Sequence, residues 1–395
     1  MRSTAAPPSG QRPLPPVPPK EEEGIDSAKP KVRFDSRWVF FITFVARFVS
    51  AWTKKFALSL LTGQLVSLCL ACATVTSNEL VVRGWVLPIT QTFFLYFSLF
   101  VVYTPYTIYK YGFAGWGKLI LHDGWKYFIL ASCDVEGNFL AMRSYQYADP
   151  ISLSLLYAWT IPSCTFFCWV LMRKKYLLSQ FVGTLTCICG LGMLVGSNLL
   201  SGVILWQPVD EVKGDLFMVA GATLYGLNNA AEEFFVRQSP LYEVLGQLGM
   251  WGTLINAIQA AGLEHRDMKT STWNGATGGL LVAWTAAMFI FYTMTPILYR
   301  MATSVFYNLN LLSTGFFGLL FGDDNTLRAR TPDNHMGLQN YPPFPLYFVA
   351  YPVIIFGLTF YFWSTSPEYE GKVDPQIPSY IKTTNGEQTT PGNQA

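Results

Sequence analysis

Long stretches without a single formal charge constrain this chain more than any other feature. No Asp, Glu, Lys or Arg occurs in 56–78, 84–109, 150–172, 176–209, 244–263, 270–299 or 336–367. Most of these runs reach the roughly 20 apolar residues that a bilayer-spanning helix needs. Only 13% of the 395 residues are charged, against about 25% in an ordinary soluble domain, so a soluble globular enzyme is excluded. The net charge is +2 and the Lys and Arg residues are scattered, which leaves no basic footprint for a nucleic acid. Length therefore sets the number of spans rather than the number of soluble domains.

Breaks at Gly, Pro and charge divide the apolar sequence into ten expected spans: 56–77, 86–108, 125–146, 150–171, 177–197, 215–235, 242–262, 278–299, 302–321 and 345–363. Ten spans put both termini on one side of the membrane. That side receives Arg37, Arg47, Lys54, Lys55, Lys110, Lys118, Lys126, Arg173, Lys174, Lys175, Arg237, Arg300 and Lys372. The other side receives Arg83, Lys213, Arg266, Lys269, Arg328 and Arg330. Thirteen against six places the termini in the cytosol by the positive-inside rule. Residues 38–52 are apolar at helical spacing beside Arg37 and Arg47; they read as an amphipathic helix in the cytosolic interface, with an eleventh span as the competing reading. The polar, Pro-rich start has no short apolar core before a small-residue cleavage site, so no signal peptide is expected.

Five is odd, so a duplication of five spans would set the second half upside down relative to the first. The junctions 147–151 and 301–305 lie 154 residues apart, and each joins two apolar runs with almost no loop. The expected organisation is a cytosolic tail with the interfacial helix at 1–53, halves at 54–200 and 201–365, and a second cytosolic tail at 366–395. The seven cysteines all fall in apolar segments without a nearby His, so neither a disulfide framework nor a metal site is expected.

Ionisable residues inside the spans are the sharpest functional signal, because one at the bilayer centre costs about 2.5–3.5 kcal/mol on insertion scales. The third span carries Asp134, Glu136 and Arg143. Glu136 and Arg143 share a face roughly 10 Å apart at 1.5 Å per residue, whereas Asp134 shares another face with Asn138 and Tyr145. Glu136 is the first choice for a substrate- or proton-binding carboxylate, and an internal ion pair with Arg143 is the competing reading. In the sixth span Tyr225, Asn228 and Glu232 form one stripe, with Asn229 and Glu233 beside it; the bland reading of Glu232 and Glu233 is a solvated helix end. The first span offers Gln64, Ser67, Thr74 and Asn78 at three-and-four spacing. These stripes are expected to face a common aqueous cavity that passes a small-molecule solute. Tyr157, Trp159, Trp284, Tyr292 and Tyr307 suit either stacking on a planar solute or interfacial packing.

Residues 112–118 have the spacing of a phosphate-binding loop, but Leu119 replaces the Mg²⁺-binding hydroxyl and a membrane helix precedes it. Gly183, Gly190, Gly192 and Gly196 suit close helix packing within the bundle or across a dimer. In the N-terminal tail Arg12, Leu14, Pro15 and Pro18 fit an Arg-x-x-Pro-x-x-Pro ligand of Src-homology-3 domains, and Lys20 also permits the reverse orientation over 12–20. Partner-free low complexity is the alternative.

The stretch Asp134-Val135-Glu136-Gly137-Asn138-Phe139, then Tyr145-Gln146-Tyr147, Gly221-Ala222-Thr223-Leu224-Tyr225-Gly226 and Glu232-Glu233, resembles the F subgroup of solute carrier family 35. Gly63-Gln64-Leu65-Val66-Ser67-Leu68-Cys69 is similar as well. The resemblance covers residues 54–365; Gly137 stands where the family more often has Ala. It implies the drug/metabolite transporter fold, an all-α polytopic membrane protein of two inverted five-helix repeats working by alternating access. It also implies a queuine or queuosine substrate class, with nucleotide sugars carried by wider relatives. No cofactor or catalytic group is implied. A non-transporting membrane scaffold that recruits partners through its tail is the reading of another class. The C-terminal sequence has no lysine pair of the kind that retrieves proteins to the endoplasmic reticulum, which favours the plasma membrane over the Golgi or other endomembranes. Tags at residue 1 and after Ala395 are expected to resist protease added outside intact cells; cleavage of either would overturn the ten-span topology or its orientation.

Overall fold

A bilayer core offers no water to bond the backbone, so an apolar chain that enters it must satisfy its N–H and C=O groups within helices or a closed barrel. The computed structural model describes residues 52–144, 147, 153, 156–174, 176–200, 211–321 and 345–362, and among them there is no strand. Helix occupies each of the ten apolar segments. The main helices are α1 (Lys54–Val82), α2 (Pro88–Ser144), α3 (Thr160–Met172), α4 (Leu178–Leu200), α5 (Glu211–Gln238), α6 (Leu241–Gln259), α7 (Gly275–Met301), α8 (Ser304–Leu311), α9 (Thr314–Phe321) and α10 (Pro345–Phe362), with one short helical turn, Asp267–Thr270, before α7. By length and apolarity α1, α2 and α7 suffice to cross a membrane, while α3 and the apolar parts of α4 and α10 are shorter. All described residues belong to one compact unit. The other unit, Met1–Ser50 with Thr365–Lys372, lies outside them, as do the expected interfacial helix up to residue 51, the motif at 12–20 and Tyr145.

Three boundaries differ from the sequence reading. Residues 109–111 and 113–124, expected to be a connection, are helical, so α2 is two helices, the second and third spans, that meet at a sharp kink at Gly112 with no loop between them. Gly112 has φ 71 and ψ 161, a conformation that only glycine adopts without strain. Beyond it the helix resumes because Gly115, Leu119 and Gly124 give it a buried stripe. The seventh span continues past α6 into a π-helical turn, Ala260–Glu264. The ninth breaks between α8 and α9.

Polarity is inverted relative to a soluble protein. Leu61, Leu121 and Leu178 are 68%, 88% and 79% exposed, while Asp134, Glu232, Glu233, Glu243 and Glu264 are buried. An apolar exterior over a polar interior is the arrangement that lipid demands. Helix ends are capped from afar as well as locally. The α2 N-terminus starts at Pro88, and Glu264 accepts hydrogen bonds from the Ile89 and Thr90 backbone N–H groups at 2.7 and 2.8 Å. An anion there satisfies orphan donors and complements the helix dipole. Asn274 and Thr277 form a reciprocal capping box at the start of α7.

Small residues set the helix spacing. Gly246, Gly249 and Gly252 of α6 lie against Thr104, Phe100 and Tyr96 of α2, and Gly183 and Gly190 of α4 lie against α10. A Cβ at Gly183 would stand 2.8 Å from the Gly357 carbonyl oxygen, whereas one at Gly192 or Gly196 would meet nothing within 4 Å. Of the four α4 glycines, Gly183 and Gly190 therefore serve packing inside the bundle. Gly183→Val is expected to cost about 1–3 kcal/mol by overpacking and to lower the melting temperature of the detergent-purified protein, while Gly192→Val leaves it within error. Equal melting of the two variants would contradict the assigned packing.

Candidate functional site

Asp134 lies nearly three turns before the end of α2 and is 3% exposed. Its Oδ2 accepts from the Tyr96 hydroxyl at 2.6 Å and the Tyr292 hydroxyl at 2.9 Å, and its Oδ1 accepts from Asn228 Nδ2 at 2.9 Å. These donors come from α2 before the kink, from α7 and from α5. One turn after Asp134, Asn138 accepts from the Tyr225 hydroxyl at 2.7 Å and donates to the Tyr96 hydroxyl at 3.2 Å. Neutral donors alone hold the Asp134 carboxylate, and no salt bridge is formed with it among the described residues.

This network forms one wall of a cavity that, with the solvent-open space at its mouth, spans about 530 Å³. Asp134, Asn138, Tyr225, Asn228, Asn229 and Glu232 supply its polar surface together with Thr295. Leu70, Met288, Phe291 and the rings of Tyr157, Tyr292, Tyr299 and Tyr307 supply the rest. Lys, Arg and His are missing from that lining. Asn229 donates to Asn308 of α8 at 3.0 Å and accepts from Tyr299, so α5, α7 and α8 meet beneath it.

Sequence reasoning brought Asp134, Asn138, Tyr225, Asn228 and Glu232 to one place, and the structure puts all of them on the cavity. It distributes the other expected residues differently. Glu136 is half-buried outside this lining and accepts from Gln259 of α6 at 2.6 Å. Arg143 lies over the Phe139 ring at 5.4 Å and lines a second cavity of about 750 Å³ beside the α2 N-terminus, which shares Asn138 with the first. Gln64 and Ser67 turn to α8: Gln64 donates to Asn310 at 3.0 Å and Ser67 to the Asn310 carbonyl at 2.7 Å. The first helix thus gives the cavity Leu70 rather than its polar stripe. Tyr96 escaped notice because hydropathy shows a tyrosine in an aromatic span as one more ring. Trp159 is half exposed and bonds Thr223.

Glu232 and Glu233, adjacent in sequence, have opposite surroundings. Glu233 is fully buried, with Lys174 at 2.5 Å, Arg237 at 2.7 Å and the Ser304 backbone N–H at 3.0 Å. Arg237 also donates to the Tyr299 and Ala302 carbonyls, so the cluster ties α5 to the α3–α4 connection and to the α7–α8 junction. Glu232 faces the cavity. Neither residue is a solvated helix end.

A buried polar cavity inside an apolar-surfaced helix bundle is the architecture of a carrier, and comparison with known proteins agrees. The family model for solute carrier family 35 (SLC35F) matches residues 52–363. The chain belongs to solute carrier family 35, in its F subgroup. It is 31% identical over 300 residues to solute carrier family 35 member F2 of Mus musculus, covering 76% of each chain. It is 28% identical to the Xenopus tropicalis protein of the same name, covering 86% of this chain and 84% of that one. An uncharacterized solute carrier family 35 member of Schizosaccharomyces pombe is 36% identical over 308 residues, which are 78% of this chain and 58% of that protein. A solved crystal structure of a protein 18% identical to this chain has a TM-score of 0.55, with 78% and 96% of the two chains covered, and shows the fold alone. At family level this is a multi-pass membrane transporter and not an enzyme.

Of the two carboxylates in the third span, Asp134 lines the cavity and Glu136 bonds Gln259 outside that lining. Asp134→Asn is expected to cut solute uptake about tenfold or more at equal surface amount, the scale of one lost charge-assisted hydrogen bond. Glu136→Gln keeps most of the rate. A larger loss in Glu136→Gln, measured by uptake per molecule at the membrane, would contradict this placement.

Proposed function

We propose that the chain is an alternating-access carrier of a small polar organic solute, with a nucleobase or nucleoside of the queuine and queuosine type as first choice. The observation that carries this reading is the buried cavity, in which Asp134, Asn138, Asn228 and Glu232 stand among tyrosine and phenylalanine rings. Aromatic faces suit a planar base, and amide and carboxylate groups suit its ring N–H and exocyclic amine. A nucleotide sugar is the second choice. Its diphosphate would face Asp134 and Glu232 with no lining cation to receive it, so like-charge repulsion in low dielectric weighs against it. The scaffold reading leaves such a cavity without a purpose.

Helix pairing supports the inverted five-helix repeats. The contact of α1 with α7 has its counterpart in that of α5 with α2 beyond Gly112, and the contact of α3 with α5 has its counterpart in that of α8 and α9 with α1. The α2–α6 and α4–α10 pairs map onto themselves. An ion pair repeats with the same offset: Glu79–Arg83 ends α1, and Glu233–Arg237, 154 residues on, ends α5. The α1 end packs near Leu281 at the start of α7, through Leu80 and Trp85. The α5 end bonds Tyr299 near the α7 C-terminus, and α7 is about 40 Å long at 1.5 Å per residue. Glu79–Arg83 is exposed while Glu233–Arg237 is buried and recruits Lys174. In this reading the two ends latch in turn, and the α5 end is the closed one here.

Uptake of labelled queuine, queuosine and several nucleotide sugars into proteoliposomes holding the purified protein tests the proposal. Saturable uptake of queuine or queuosine, absent from empty liposomes, is expected. Transport of nucleotide sugars alone would overturn the substrate, and transport of none of these solutes would favour the scaffold.

A further inference from the structure

Glu232 is 4% exposed, lines the cavity, and holds a fully buried Oε1 that has no hydrogen-bond partner. One turn earlier on the same stripe, Asn228 has given its amide N–H to Asp134 and is left with a buried Oδ1 that also lacks a donor. The neighbouring acids show what a satisfied carboxylate looks like in this bundle. Glu233 has two cations and a backbone N–H; Asp134 has three donors. A buried acceptor left without a donor costs about 1–3 kcal/mol, and more when it is charged. Such a group inside a solute cavity is therefore waiting for donors from the solute.

The demand is for positive charge as well as for N–H. The lining holds two acids and no Lys, Arg or His. Tyr299 and Tyr307 of the same lining add aromatic rings to it, and a ring face attracts a cation. We propose that Glu232 is the charge-recognition residue of this carrier: the solute brings a protonated amine or an amidinium, whose N–H groups bond Glu232 Oε1 and Asn228 Oδ1. This inference rests on the carrier reading above and adds to it a charge class. Asp134 is a positioning residue that orients Asn228 and the tyrosines, and Glu232 is the group that meets the ligand's charge.

Two matched ligand pairs test it in detergent-purified full-length protein, with thermal stabilisation as the readout of binding. The first pair is 7-aminomethyl-7-deazaguanine, a cation at neutral pH, and uncharged 7-cyano-7-deazaguanine. The second, unrelated to deazaguanines, is benzamidine and benzamide. The cationic member of at least one pair is expected to stabilise the wild type more than its neutral partner. Glu232→Gln should weaken binding of the cation about tenfold or more, the scale of a lost charge-assisted hydrogen bond, and abolish the preference. Glu232→Asp should retain the preference at reduced affinity, which keeps the test decisive if the glutamine variant fails to fold. Preference for benzamidine with no response to either deazaguanine would sink the queuine reading and support the charge inference. Equal response to charged and neutral members, no response to either pair, or an unchanged preference in Glu232→Gln would overturn it. So would stabilisation by sodium chloride alone that disappears in Glu232→Gln, which would assign the carboxylate to a metal ion.

Discussion

The carboxylate of Asp134 is the point on which the bundle turns. It sits in a low-dielectric interior where an unsatisfied charge is prohibitively expensive, and its neutralisation by a direct cation would fill the space it borders. Instead, three neutral donors from three places in the chain converge on it: Tyr96 before the Gly112 kink, Asn228 on α5 and Tyr292 on α7. Each donor is committed by the bond, so the relative placement of α2, α5 and α7 follows from one acid. Tyr292, held by its hydroxyl, leaves its ring as cavity wall. Asn138 extends the same network to Tyr225.

A second buried acid solves the same electrostatic problem the other way. Glu233 is compensated by Lys174 and Arg237, and the spare donors of Arg237 close the carbonyls at the α7–α8 junction. Removing one member of such a buried cluster is far costlier than the cluster is worth, which suits a joint between elements rather than a ligand site. Glu264 is a third solution, spent on the N-terminus of α2. Among the fully buried acids of the described residues, Glu232 is the one without compensation, and the contrast within one helix turn separates structural charge from charge available to a solute.

Much of this was legible beforehand. Apolar runs located a helix in each of the ten expected segments, because a span must satisfy its own backbone whatever it packs against; the helical residues 113–124 and Asp267–Thr270 lie outside those runs. The three-and-four spacing of Tyr225, Asn228 and Glu232 placed them on one stripe, and Asp134 with Asn138 on another, since helix geometry alone decides which residues share a face. Less legible were Gln64 and Ser67, whose stripe is equally polar but is consumed by Asn310 across a helix contact. Polarity at helical spacing does not say whether a neighbour or a cavity lies opposite.

The sequence by itself determined the solvent of this chain, its helical segments and the acids it carries into the bundle, for these depend on local composition and periodicity. Only the tertiary structure decided that residues 113–124 start a second helix directly at the Gly112 kink, that Glu136 answers to Gln259 rather than to the cavity, and that Glu232 and Glu233 part company. Those outcomes hang on which side chains from distant segments arrive at a given acid. The energy of a buried charge is set by its partners, and the partners are fixed by packing.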